Sequence, residues 1–411
     1  MAVPRAGAAG ALNKGAARAL PTTTEQKAPG QEPVAGVVGQ SGQRWAFLRA
    51  ACLWALCLFL AVNLVLWRLS REDKASSKDL WSGSGSIDLA VSGFKELRKR
   101  PTVVLLGSSL MMFPFWAMDR EIDGAIGDIF HHHQSLSLEG KLKEIGYQSP
   151  TVYSLAIFGQ MVSDAYIYVD EYLKADRKPD WLVFGIAPRD FSDHDLPAPM
   201  STFTFKRLVG LSNFGRYASL YLPGWQDKAD FLVGHACFFY GRRWRLQHET
   251  ERSLQKLYDR LGLTFSQPEA KSAQPQAGFM LSGNQEERWA NSLNEYRRRY
   301  RNIGEKDLSI QMGFLRRLLE LCQEREIKVV LINMPLTESN RRLLDGGFYD
   351  RFRKEVGQLA DRPGVHFVDL GDSADFGQAD FWDTTHLNHA GGHKLIQHLL
   401  PIFREPTVPR A

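Results

Sequence analysis

The chain has 411 residues, 44% of them hydrophobic, with 51 basic and 46 acidic side chains for a formal charge of +5. Ordinary apolar content over this length excludes wholesale disorder and leaves room for one large domain or two smaller ones. The charge excess is small and the two signs are intermixed, which argues against a dedicated nucleic-acid binder.

Residues 1–43 are rich in Ala, Gly, Pro, Thr and Gln without an apolar period, and are expected to form a disordered tail. Residues 45–67 predict a transmembrane signal anchor. Ala50 to Leu66 carries no charge, Trp45 and Trp67 mark the two ends, and Arg49 can snorkel to the headgroups. Arg68, Arg71 and Lys74 follow in place of a small-residue cleavage site, so the anchor is expected to be retained; a buried core helix is the competing reading. Arg44 and Arg49 lie before the span and Arg68, Arg71, Lys74 and Lys78 after it, so the positive-inside rule leans against a cytoplasmic N-terminus. The layout, a short head before one span and a large domain after it, favours one. The expectation is a single-pass protein with a cytoplasmic N-terminus and a periplasmic or extracellular domain.

Residues 68–100, with Ser76-Ser77 and Ser82-Gly83-Ser84-Gly85-Ser86, read as a juxtamembrane linker ending in the basic cluster Lys95, Arg98, Lys99, Arg100. From Pro101 the texture is α/β. Apolar runs at Val103–Leu106, Val152–Leu155, Trp181–Phe184, Val329–Ile332 and Val365–Val368 predict strands, with helical patterns between them at Asp164–Lys174 and Phe314–Glu324. Continuous apolar strands alternating with amphipathic helices predict a three-layer, mostly parallel sheet covered by helices on both faces, in one domain over 101–405. An insertion at about 195–310 breaks the rhythm. It carries the aromatic and basic segment Phe238–Arg245, a loop at Ser266–Gly283 and the basic run Tyr296–Arg301. It either flanks the active site or presents a solvated helical face.

Chemistry in such sheets collects at the carboxyl ends of the strands. Gly107-Ser108-Ser109 follows the first predicted strand, where a tight turn exposes a serine at a helix N-terminus with oxyanion-stabilising N–H groups nearby. Taken alone, Ser109 would more often be a helix cap. Asp383-Thr384-Thr385-His386 precedes an apolar terminal helix, and a three-residue spacing lets the carboxylate orient the imidazole that would accept the serine proton. Ser109, His386 and Asp383 are therefore the candidate nucleophile, base and orienting acid.

These residues resemble the first and last sequence blocks of the SGNH (GDSL-like) hydrolases. That resemblance implies a flavodoxin-like topology, with a glycine N–H and an asparagine amide completing an oxyanion hole. Gly159 stands where the glycine is expected. The family's Gly-x-Asn-Asp block is replaced by Gly185-Ile186-Ala187-Pro188-Arg189-Asp190-Phe191, which has no asparagine. Arg189 is then either a substitute oxyanion donor or a structural partner of Asp190. With its single span and altered third block, the chain looks like the membrane-anchored SGNH-like proteins of bacterial envelope acylation, the D-alanine-transfer and alginate O-acetylation types. That resemblance implies a serine acyl esterase or acyltransferase acting on O-acyl groups of a cell-surface polysaccharide or other envelope polymer, beside a membrane-bound O-acyltransferase, with no cofactor. The alternative is a catalytically weak scaffold that binds polysaccharide or anchors a partner.

Other patterns are weaker. His386, His389 and His393 have a helical ligand spacing, but Gly391-Gly392 interrupts it and no HExxH-type motif accompanies it, so no metal site is expected. His131, His132 and His133 are consecutive and their side chains diverge. The four cysteines show no zinc-like spacing, and Cys237 and Cys322 are compatible with one disulfide or with two reduced thiols.

Overall fold

A computed structural model describes residues 39–69, 84–261 and 282–404. The expected tail, apart from its last residues, lies outside the described residues, as do most of Ser266–Gly283 and the linker over 70–83. The chain divides into units 1–62 and 63–411. The boundary falls within helix α1 (Gly39–Leu69), whose Arg49–Arg68 segment is the one described helix long and apolar enough to cross a membrane.

The second unit is built on five strands: β1 (Val103–Leu106), β2 (Val152–Ser154), β3 (Trp181–Ile186), β4 (Lys328–Asn333) and β5 (Val365–Asp369). All pair in parallel in the order β2-β1-β3-β4-β5. This is the flavodoxin-like order, and the α/β expectation holds. Helices α2 (Ser84–Glu96), α3 (Ser109–Ile122), α4 (Leu136–Glu144) and α5 (Val162–Tyr172) precede β3. Between β3 and β4 come α6 (Phe203–Leu208), α7 (Phe214–Tyr221), α8 (Trp225–Ala236), α9 (Phe238–Gly241), α10 (Arg243–Arg260), α11 (Gln285–Arg299) and α12 (Glu305–Glu324). Helices α13 (Glu338–Arg341) and α14 (Gly346–Ala360) precede β5, and α15 (His389–Phe403) follows it.

Successive side chains of a strand point to opposite faces, so an all-apolar strand feeds two cores. Val104, Leu106, Leu182, Phe184, Val329 and Leu331 join Phe94, Tyr168, Leu315 and Phe352 from α2, α5, α12 and α14. Val103, Leu105, Val183, Val330 and Ile332 join Met111, Leu138 and Leu395 from α3, α4 and α15. One expectation needs correction: the predicted linker over 68–100 is not a tether throughout. Ile87, Ala90, Val91 and Phe94 fall at helical spacing and are buried, so Ser84–Glu96 folds as α2 and the Ser-Gly repeat only opens it. All four cysteines are free, Cys322 inside the core.

The sheet order reverses between β1 and β3, and the crevice outside the carboxyl ends at that switch point is where α/β sheets place ligands. Ser109 follows β1 there, Gly159 follows β2, and Arg189 follows β3.

Candidate active site

The turn after β1 can only be made by glycine. Gly107 has φ +138°, and a Cβ on it would lie 2.5 Å from the Gly185 carbonyl oxygen and 2.6 Å from Met111 Cγ. Its N–H donates to Gln160 Oε1 at 2.7 Å, while Gln160 Nε2 donates to the Leu155 carbonyl at 3.2 Å. Gln160 thus ties the turn after β1 to the segment after β2. The turn delivers Ser109 as the first residue of α3, 8% exposed, with Oγ 2.8 Å from His386 Nε2.

His386 is held from several sides. Its Nδ1 lies 2.7 Å from Asp383 Oδ2, while Asp383 Oδ1 accepts the backbone N–H groups of Thr385 at 2.8 Å and His386 at 2.9 Å. The Trp382 N–H donates to the His386 carbonyl at 2.7 Å, and Phe113 of α3 covers the imidazole with ring centroids 4.3 Å apart. With Nδ1–H donated to the carboxylate, Nε2 is left to accept the serine proton. Burial pushes the Asp383 carboxyl up, but His386 and the two N–H donors outweigh it and hold the group below the usual carboxylate value. The residues Ser109, His386 and Asp383, separated by more than 270 positions at their widest, therefore meet as one relay.

The N–H of Ser109 is among the first four of α3, which have no acceptor within a helix. Gly159 adopts φ +72°, and no hydrogen bond from its N–H is present among the described residues. Arg189 is buried and largely committed: Nε donates to Asp193 at 2.9 Å, Nη1 to the Gln160 carbonyl at 3.2 Å and Asp190 at 3.1 Å, and Nη2 to the Gly159 carbonyl at 3.1 Å. Of five N–H groups only one on Nη2 is left over. The guanidinium fastens the Gly159 turn by its carbonyl. No asparagine side chain bonds Ser109, Gly159 or His386 among the described residues.

Several residues that hold the site carry no motif. Asp193 receives Arg189 and also Arg299 of α11 at 2.6 Å; burial raises its pKa, but the two guanidiniums pull it below the ordinary value. Arg299 sits in the run Arg297-Arg298-Arg299, where Arg297 is solvated, and charge patterning alone does not single it out. Ser292, on the same helix, lies 2.5 Å from Thr384 Oγ1, and Thr337 Oγ1 donates to the Thr384 carbonyl at 2.7 Å. Helix α11, inside the predicted insertion, thus touches both the Asp383–His386 loop and the Arg189 cluster. The Arg189–Asp193 spacing of four is the one signal sequence could have offered.

Other expected features fall elsewhere. His389 and His393 face Glu121 at 3.4 and 3.0 Å instead of joining His386. His132 pairs with Asp119 at 2.8 Å, and burial lowers the His133 pKa to about 4. In the Phe238–Arg245 segment, Arg242 stacks on Phe238 and Arg243 on Tyr240, so those cations cover their own aromatic neighbours.

Fold and site together define an α/β protein with a serine–histidine–aspartate relay at the switch point of a parallel sheet. No family model matches the chain, and no curated protein matches it. Among solved structures it is similar to the acetylxylan esterase Axe2 of Geobacillus stearothermophilus, at 14% identity over 76% of this chain and 98% of that one, with a TM-score of 0.33. A catalytic variant of the same esterase gives 14% identity over 77% and 99%, TM-score 0.33. A candidate acylhydrolase from Bacteroides fragilis gives 11% identity over 76% and 95%, TM-score 0.32. At this level of likeness neither activity nor substrate carries over.

Proposed function

We propose that the protein is a serine-dependent acyl esterase or acyltransferase, anchored in a membrane through α1, acting on O-acyl groups of a cell-surface polysaccharide or other envelope polymer. The relay of 2.8 and 2.7 Å contacts through His386 is the observation that carries the reading. Ser109 Oγ attacks the acyl carbonyl carbon as His386 Nε2 takes its proton, and the resulting imidazolium is stabilised by Asp383. The oxyanion is met by the Ser109 and Gly159 N–H groups. Collapse expels the alcohol, which takes the proton back from His386 and leaves an acyl-Ser109. A water or a sugar hydroxyl then attacks, giving its proton to His386, and Ser109 leaves with that proton restored.

Membrane anchoring is supported by the length and apolarity of Arg49–Arg68. The polymer and a membrane-bound O-acyltransferase partner follow from the sequence resemblance alone, and a periplasmic or extracellular location for the domain from the layout of a short head before one span.

The test is turnover of a small acetyl ester by the parent and by Ser109→Ala, His386→Ala and Asp383→Asn, with mass spectrometry for an acyl adduct on Ser109. Each substitution is expected to lower turnover by on the order of 10³-fold or more. Full activity in Ser109→Ala would overturn the serine mechanism, and no turnover by the parent would leave the domain as a binding scaffold.

A further inference from the structure

Beside the relay lies a cavity of about 640 Å³ that the steps above leave unused. Trp116 and Arg120 of α3 line it, with Arg288 of α11 and Trp382, Glu121 and His389 around them. Ser109, Phe113, Trp116 and Arg120 recur at helical spacing along α3, so the cavity continues the face that carries the nucleophile. Trp116 stands seven residues beyond Ser109, about 10 Å along the helix axis. Trp382 adjoins Asp383, and Phe113 bridges His386 and Trp116 with centroid distances of 4.3 and 5.9 Å.

The walls carry two arginine–tryptophan stacks. The Arg120 guanidinium lies 4.9 Å from the Trp116 ring and that of Arg288 lies 4.2 Å from the Trp382 ring. Stacking satisfies the faces of a guanidinium and leaves its N–H edges in plane, the arrangement that accepts a carboxylate or phosphate through paired bonds. Arg288 uses one N–H of Nη1 on the Gly283 carbonyl and Nε on that of Trp382, at 2.5 and 3.4 Å, which leaves the second N–H of Nη1 and both of Nη2. Among the described residues neither arginine pairs with a carboxylate, whereas Arg189, Arg207, Arg216, Arg298, Arg299 and Arg353 all do. Glu121, the acidic group of the cavity, is already met by His389 and His393.

We propose that this cavity binds an oxyanion, carboxylate or phosphate, carried by the polyhydroxylated acceptor or donor chain, and so holds that chain about 10 Å from Ser109. The inference rests on the acyl-transfer reading for its purpose, but not for the binding itself.

The test uses the full-length chain in detergent and follows calorimetry and tryptophan fluorescence with three probes: tetragalacturonate, a glycerol-phosphate oligomer and the neutral cellotetraose. At least one anionic probe is expected to bind about tenfold or more tighter than the neutral one, and to weaken as salt rises. Whether the carboxylate or the phosphate probe wins identifies the group. Arg120→Gln and Arg288→Gln should each lower anion affinity about tenfold, with Arg120→Lys between, because the charge survives and the fork does not. Arg120 is exposed and makes no hydrogen bond in the described residues, so Arg120→Gln decides the matter even if Arg288→Gln disturbs the Trp382 loop. Equal binding of the neutral probe, or unchanged anion affinity in Arg120→Gln, overturns the proposal. Binding is measured again in Ser109→Ala: retained anion binding with unchanged ester turnover sinks the serine mechanism alone, and lost turnover without anion preference sinks this site alone.

Discussion

At the scale of single residues, the arginine that replaces the expected asparagine acts by holding other groups. Arg189 joins Asp193, Asp190 and the carbonyls of Gly159 and Gln160 in a buried cluster. Removing one partner of a buried ion pair leaves the other uncompensated, typically at about 3–5 kcal/mol. Arg189→Met is therefore expected to lower stability by about that amount in denaturant melts, and to lower kcat by about tenfold while KM stays near the parent, since the Gly159 turn loses its anchor. A change in KM alone would argue for direct substrate contact instead. His133 makes a separate prediction. Burial holds its pKa at about 4 against 6.5 ordinarily, although Nδ1 lies 3.1 Å from the Ser154 carbonyl. The unfolded chain takes up a proton first as pH falls, so stability is lost between about pH 6.5 and 4 and is fully present above that window. His133→Phe keeps the ring beside Tyr153 and should show a smaller drop in Tm over that window; parallel curves would exclude His133 as the cause.

At the scale of elements, the site depends on how tightly β1 turns into α3 and how α11 braces the loops around it. Gly107→Ala would place a methyl 2.5 Å from a backbone oxygen at φ +138°, so it is expected to cost about 1–3 kcal/mol or more and to abolish ester turnover. The control is Gly140→Ala within α4, where a Cβ meets nothing within 4 Å; helix propensity predicts a gain of about 0.5–1 kcal/mol there. Thermal melts of the two variants moving in the same direction would contradict this account. Helix α11 begins with a reciprocal cap, Asn284 accepting from Glu287 N at 2.9 Å and Glu287 accepting from Asn284 N at 3.1 Å, and then reaches Thr384 and Asp193 within its length. The predicted insertion is therefore part of the apparatus that positions His386, which a list of motifs does not disclose.

At the scale of the molecule, the fold places chemistry where a doubly wound sheet offers a crevice, and α1 carries a segment long and apolar enough to cross a membrane. The full-length chain is expected to stay in the membrane pellet after an alkaline carbonate wash, because a span of about 20 apolar residues is not released by disrupting electrostatic contacts. Quantitative recovery in the supernatant would reduce α1 to an ordinary helix.

The sequence by itself determined the parallel α/β class, the positions of the five strands to within a few residues, and the pairing of Ser109 with Asp383 and His386. The class and the strands are written in periodicity, and each half of the site in a glycine turn or a short spacing, all of which are local. The joining of the two halves rests on their placement at strand ends of one sheet and on the resemblance to the first and last SGNH blocks. It misread Ser84–Glu96, where a Ser-Gly repeat masked an apolar face at helical spacing, and it left Arg189 between two roles. Only the tertiary structure decided that Arg189 is spent on Gly159 and two carboxylates, that Arg299 alone of its run turns inward, and that two arginine–tryptophan stacks open beside the relay. Arg299–Asp193 and Arg288–Trp382 join segments roughly 100 residues apart, and Arg189 reaches back 30 positions to Gly159. Such contacts leave no local pattern when each partner is an ordinary residue on its own element.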